Sequence, residues 1–320
     1  ETKMPSSLSV LVLCMPRRLR HVPPGLPVEI TQRTLQGRLL LVPTPELCRI
    51  VLGILGRAQQ LFDMTIHAFI FLSNHYHLIL SPKDARQQAR FMGYFSGNLA
   101  REVGRIADWH EKVWGRRYAH VPITEEPEAQ IERLRYVLAQ GLKEGLVAQA
   151  LDWQGASSLP ALLDGSMQCD GIWYDRTTAY RTRRAGLDLR PDAWVQSETV
   201  VLTPLPALAH LSAEDYAAAI LQMVSEIEQA AAEGREREPL GIAAIAAQHP
   251  HTAMPQRTRT PIPLVHAASV RAWKAFKIAY RAFLAAHRYA SAQLRAGVRG
   301  VVFPEGSFPP PLPFVNHAPT

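Results

Sequence analysis

Thr65–Leu80, TIHAFIFLSNHYHLIL, is the stretch on which the fold turns. Met64 to Leu72 is rich in β-branched and aromatic residues, Ser73-Asn74 is turn-prone, and Tyr76 to Leu80 resumes an apolar strand. The run therefore predicts a β-hairpin with its histidines at the start of the second arm. Successive side chains on a strand point to opposite faces, so His75 and His77 share one face and Tyr76 turns to the other. Two imidazoles placed this way are either a metal clamp or two half-exposed histidines on a sheet face, and the tripeptide alone does not decide between them.

The segments on either side extend the pattern. Pro27 to Thr34 alternates as a strand does, and Thr44-Pro45-Glu46 is the capped start of a helix running to about Phe62. Lys83 to Ile106 has helical spacing, with Arg86, Arg90, Arg101 and Arg105 forming a basic face among Phe91, Phe95 and Leu99. Arg116 to Thr124 then reads as a strand, and Glu125 to Val147 as a helix opened by an acidic first turn at Glu125, Glu126 and Glu128. The order β-α-β-β-α-β-α predicts an α+β domain in which helices pack on an antiparallel sheet.

The second half changes character. Residues 150–200 mix Gly, Ser and Pro with short apolar runs, 208–233 is Ala-rich, acidic and helical, and 240–248 suits a short helix. A basic, Pro-containing loop at 250–263 leads to a helix from about Ala268 to Ala296. That helix carries Arg271, Lys274, Lys277, Arg281, Arg288 and Arg295 beside Trp273, Phe276, Tyr280 and Phe283, and the tail from Phe303 to Phe314 is Pro-rich and extended. Met15-Pro16-Arg17-Arg18 reads like a natural beginning. The expected organisation is an N-terminal extension over 1–14, a sheet domain over 15–155 and a mainly helical extension over 156–320.

A chain of 320 residues with 47% hydrophobic content can bury a full core. The cysteines, Cys14, Cys48 and Cys169, are odd in number and widely spaced, which argues against a disulfide framework or a thiolate zinc site and points to a reducing compartment, the cytoplasm. Leu8 to Met15 is too short an apolar run to span a membrane, so no membrane partner is expected. The net charge of +7 is unevenly spread: +6 over 1–150, −2 over 151–200, −5 over 201–240 and +8 over 241–320. Two basic segments flanking an acidic one, at a pI near 9.5, favour a polyanion such as nucleic acid over a merely soluble basic protein.

Phosphoryl transfer on such a partner needs a cation and a nucleophile. In QIERLRYVLAQGLKEGLV, Tyr136 and Gln140 stand at i and i+4 and share one helix face, with Arg133 and Arg135 nearby for phosphate contact. Spacing alone also fits the ordinary alternative of core edge and solvent.

The successive segments MPRRLRHVPPG, PVEITQRT, IHAFIFLSNHYHLIL, EKVWGRRYAHV and LRYVLAQGLKEGLV resemble, in order over about residues 15–155, the blocks of the single-tyrosine HUH transposases, most closely the REP-associated tyrosine transposases. The resemblance implies the HUH endonuclease, ferredoxin-like fold. It implies that His75, His77 and Gln140 bind a divalent metal, Mg²⁺ or Mn²⁺. It also implies that Tyr136 attacks single-stranded DNA, often folded as a hairpin or repeat element, to leave a 5′-phosphotyrosine and a free 3′-OH. A tyrosine of ordinary pKa near 10 is a poor nucleophile at neutral pH, so charge withdrawal by the metal would matter. DNA would lie along Arg86, Arg90, Arg116, Arg117, Arg133 and Arg135. Trp114 and Tyr118 read first as sheet core and second as platforms for base stacking.

The sequence departs from the family pattern at Ser73, where Pro is common, at Gly141, where Pro commonly follows an Asn in place of Gln140, and at Glu111-Lys112, where Gly-His is common. Three functions stay open at this point: a DNA transesterase, a DNA-binding protein of the same fold without cleavage, and a metal-dependent nuclease using water. The protein would be nucleoid-associated, as a monomer or homodimer.

Overall fold

The computed structural model describes residues 18–187, 190, 193–254 and 261–308. The expected extension at 1–14 and the tail beyond 308 lie outside them. Four strands, β1 (Val28–Arg33), β2 (Thr65–Leu72), β3 (His75–Ser81) and β4 (Ala119–Pro122), form one antiparallel sheet in the order β2-β3-β1-β4. This is the strand order of a β-α-β-β-α-β unit. Its two crossover helices are α1 (Pro45–Phe62) and α2 (Ala85–Ile106). Thr44 and Asp84 cap them, accepting from Leu47 N and Gln87 N.

Register assigns every side chain to a face. Glu29, Thr31 and Arg33 pair with Ile79, His77 and His75, while Ile30 and Gln32 pair with Leu78 and Tyr76. Tyr76 therefore lies opposite the histidines, fully buried, with its ring 5.7 Å from Phe95 of α2 and 5.5 Å from Trp114. Its hydroxyl donates to Gln32 Oε1 at 2.7 Å. With α2 on the Tyr76 face and α1 packed beside it, the histidine face remains for α3 (Pro127–Leu138) and α4 (Gln140–Lys143).

The helix expected over Glu125–Val147 is thus two shorter ones, broken at Ala139 without a proline. Glu125 and Glu126 precede its first turn. The Glu126 carboxylate instead accepts from Thr124 Oγ1 at 2.9 Å and from Ala268 N at 2.9 Å, so it anchors the chain just before α9 (Val270–Arg295), which Ser269 caps.

The 156–320 segment holds a two-stranded sheet besides its helices: β5 (Gln168–Tyr174) and β6 (Val195–Val201) pair antiparallel and lie on α1. The remaining helices include α5 (Leu159–Leu163), α6 (Arg176–Arg184), α7 (Ala213–Glu233) and α8 (Ile242–Ala246). Both edges of the main sheet are covered, which blocks edge-to-edge pairing. Ala156 O and Ser158 N bond to Phe71 N and Phe69 O on β2, and Thr203 N bonds to Ile66 O. Beyond β4, His266 N donates to Pro122 O and Thr124 N to His266 O. Among the described residues no helix is long and apolar enough to cross a membrane.

His120 on β4 reports on this packing. Its Nε2 donates to His21 C=O at 2.8 Å and its Nδ1 accepts from Gln88 Nε2 at 3.0 Å, an arrangement that only the neutral ring satisfies. Burial pushes its pKa down to about 4. Below the ordinary value of 6.5 the unfolded chain takes up a proton that the fold refuses. Stability should therefore fall as pH drops from about 6.5 to about 4, by at most about 1.4 kcal/mol per unit from this group. Melting curves across that window should be steeper for the parent than for His120→Gln; parallel curves would remove His120 as the cause.

Candidate active site

Alternation and register bring His75 and His77 to one end of the histidine face, each 5% exposed, with ring centroids 5.2 Å apart. They are buried, not half-exposed. Each ring is held through Nδ1: that of His75 by Asn74 Oδ1 at 2.7 Å, that of His77 by Glu29 Oε1 at 2.8 Å and Thr31 Oγ1 at 3.2 Å. A carboxylate or amide oxygen accepting from Nδ1–H fixes the tautomer and puts the lone pair on Nε2, the form in which a histidine ligates a cation.

Tyr136, on α3, meets this pair from above the sheet. Its ring lies 5.6 Å from that of His77, edge to face. Two cations flank it, Arg133 at 4.4 Å and Lys143 at 4.0 Å from the ring centroid. Position i−3 shares the tyrosine's face of α3, and Lys143 reaches the ring from α4, past the break at Ala139. Gln140 is 1% exposed and its Nε2 donates to Tyr136 C=O at 2.9 Å, which leaves the amide oxygen free of that bond. Among the described residues no three His, Cys, Asp or Glu side chains form a metal-holding group. Imidazole nitrogens and an amide oxygen are donor types that suit a divalent cation.

Three residues of the site were not singled out from the sequence. Lys143 was within reach of the helical pattern seven residues after Tyr136. Glu29 is only a polar position on an alternating strand, and nothing local distinguishes His266. Glu29, 5% exposed, bridges His77 to His266, whose Nε2 lies 2.7 Å from Glu29 Oε2, and Arg133 stands 3.8 Å away. Burial alone would raise the Glu29 pKa, but hydrogen bonds and charge from His266 and His77 outweigh it and hold the carboxyl well below the usual carboxylate range.

Glu29→Ala removes the carboxylate that accepts from His77 and pairs with His266 and Arg133. It should cost about 3 kcal/mol or more in stability, as breaking a buried ionic cluster does. Loss of the oxygen that orients His77 should weaken divalent-cation affinity by about 10–100-fold. Denaturant unfolding and Mn²⁺ titration followed by electron paramagnetic resonance read the two effects separately; unchanged Mn²⁺ affinity in a folded variant would rule out the orienting role.

The six arginines expected to contact DNA fall into four places. Arg86 and Arg90 are exposed on α2, on the far side of the sheet from Tyr136. Arg116 and Arg117 line an open depression of about 640 Å³ with Arg101, Lys112 and Trp114, and it does not include His75, His77 or Tyr136. Arg133 is in the site, ion-paired to Glu132 and Glu29, and Arg135 pairs with Glu226 of α7. Trp114 donates its Nε1 to Ser96 C=O at 2.8 Å, and Tyr118 lies under the Arg20 guanidinium at 3.6 Å. The departure at Ser73 also has a physical reason, since its hydroxyl donates to Gln248 Oε1 at 2.9 Å and ties the turn before His75 to the C-terminal half.

Comparison with protein-family models and with curated proteins gives no match. Among solved structures, one similar chain is a REP-associated tyrosine transposase bound to a REP hairpin, at 17% identity over 60% of this chain and 96% of that one, with a TM-score of 0.35. Another is a Deinococcus radiodurans protein provisionally assigned as a transposase, at 18% identity over 34% of this chain and 87% of that one, with a TM-score of 0.27.

Proposed function

We propose that this chain is a transposase-type endonuclease and strand transferase acting on single-stranded DNA, with Tyr136 as nucleophile. The observation that carries the reading is the meeting of Tyr136 with His77 at 5.6 Å, from elements about sixty residues apart, with the buried amide of Gln140 on α4 bonded to the Tyr136 carbonyl. The ordered resemblance of the sequence blocks supports it independently.

In the reaction, the Tyr136 oxygen forms a bond to phosphorus, its proton passes to solvent, and the bond from phosphorus to the 3′ oxygen breaks. The leaving oxygen takes a proton from water, giving a free 3′-OH and a 5′-phosphotyrosine. Attack by a later 3′-OH reverses the step and joins new ends, so the phosphotyrosine conserves the bond that hydrolysis would lose. Lys143 and Arg133, which flank the Tyr136 ring, would hold the phosphate beside it. Lys143 makes no ion pair among the described residues, whereas Arg133 already faces Glu29 and Glu132. His75, His77 and Gln140 would hold Mg²⁺ or Mn²⁺, whose charge would stabilise the phosphate oxygens as the tyrosine attacks. Glu29 keeps the His77 ring oriented for that ligand role.

The test is incubation of the protein with end-labelled, hairpin-bearing single strands and Mn²⁺, followed by denaturing electrophoresis. A labelled protein band of covalent adduct is the expected result. Tight binding with no adduct on any such strand would instead support a DNA-binding protein of this fold.

A further inference from the structure

Several cations outside the last helix are engaged within the protein. Arg57 pairs with Glu198, Lys83 with Asp63, Arg105 and Arg176 with Glu102, and Arg135 with Glu226. Helix α9 differs. Its 26 residues carry six Lys or Arg and no Asp or Glu. Lys274, Arg281, Arg288 and Arg295 are all exposed, and none makes an ion pair or hydrogen bond among the described residues. Their seven-residue spacing drifts only about 20° per step, so they form one nearly straight stripe with a cation every 10 Å or so, about 32 Å long in all.

Folding alone does not favour this arrangement. Arg271 and Lys274 sit in the first two turns of α9, at the positive end of the helix dipole, where acidic residues are preferred and where no acidic residue of the helix stands. Glu126, bonded to Ala268 N, is the anion recorded there. The opposite face does the packing: Tyr280 donates to Leu19 C=O at 2.8 Å, and Phe283 stacks on His21 at 4.2 Å. The basic stripe therefore faces away from the protein. Its start is fixed to the catalytic centre, because His266, three residues before Ser269, touches the Glu29 that holds His77.

We propose that the outward face of α9 is the docking surface for the duplex stem of a DNA hairpin whose single-stranded flank enters the site at Tyr136. This rests on the reading of the site as a DNA-cleaving centre. A stripe of about 32 Å matches on the order of nine base pairs along the duplex axis, at about 3.4 Å per pair. A helix lying against a duplex presents its cations to a row of phosphates whatever the sequence, so this surface supplies affinity and orientation, and base identity is read elsewhere.

The experiment measures binding of the full-length chain in EDTA, so that no cleavage intervenes, to a hairpin carrying a single-stranded flank and to the same flank without a stem, across a salt series. The altered protein carries Lys274→Gln, Arg281→Gln and Arg288→Gln. A charge-matched comparison protein carries Arg181→Gln, Arg183→Gln and Arg184→Gln on α6, where these side chains make no ion pair among the described residues. The α9 protein should bind the hairpin at least about tenfold more weakly, with the slope of log affinity against log salt reduced by about three. The comparison protein should stay close to the parent.

Hairpin affinity and slope equal to those of the comparison protein would overturn the proposal. So would an equal loss for the stemless flank, which would make the stripe a single-strand track, or a preference of the parent for anionic vesicles over the hairpin. If the parent binds neither DNA, the DNA reading of the site itself fails. If the parent binds the hairpin and the α9 protein binds it as well, only the α9 assignment fails. Matching melting temperatures for the three proteins exclude misfolding as the cause of any loss.

Discussion

Tyr136→Phe should form no covalent adduct on hairpin-bearing single strands, with strand transfer reduced by at least about 10⁴-fold, while DNA affinity and melting temperature remain close to those of the parent. The change deletes one oxygen. The ring keeps its edge-to-face contact with His77 and its flanking cations Arg133 and Lys143, so packing around α3 is preserved. The size of the effect follows from chemistry, because without the nucleophile the phosphotyrosine cannot form and water has to replace it. Electrophoresis of the adduct and gel analysis of cleaved strands give separate readouts. Cleavage that survives in Tyr136→Phe would identify water as the attacking group and leave the tyrosine a packing role. His77→Ala provides the complementary case, since it removes the partner of Glu29, and with it the proposed cation ligand, while sparing the tyrosine oxygen.

Gly53→Ala should destabilise the fold by about 3 kcal/mol or more, near the upper end of overpacking effects. A methyl group at Gly53 would lie 2.1 Å from the backbone carbon and oxygen of Ile172, and one at Gly171 would lie 2.1 Å from Gly53 N. Helix α1 and strand β5 thus meet backbone to backbone, with no side chain that could rotate away. Alanine favours a helix over glycine by about 1 kcal/mol, which is too little to offset that clash. Gly93 on α2 is the contrasting case: nothing lies within 4 Å of a methyl group there, so Gly93→Ala should stabilise by up to about 1 kcal/mol. Denaturant midpoints of the two variants should move in opposite directions. A stabilised Gly53→Ala would mean that the β5–β6 hairpin is not seated on α1 in solution.

Much of this architecture is written locally in the chain. Thr44 caps α1 where the sequence places it, the hairpin turns at Ser73-Asn74, and the order of seven elements through α3 is the expected one. The clearest misreading, the single helix over Glu125–Val147, has a physical cause. Glu125 and Glu126 look like a first turn in isolation, but the Glu126 carboxylate is drawn to the amide of Ala268, 142 residues away. The strands β5 and β6 were hidden similarly, because each is held by α1 and by the other.

For the candidate site, period-two and period-3.6 patterns alone put His75 with His77 and Tyr136 with Gln140, since a side chain's face depends only on its neighbours along the chain. Which face meets which is a different kind of information. That Glu29 would bridge His77 and His266, that Arg135 would pair with Glu226 rather than stand open, and that α1 would need glycine under β5 depend on contacts between residues more than forty positions apart. Those contacts exist only once the sheet, its helices and the C-terminal segment have packed, and the entropy of closing such long loops is recovered only by the assembled core.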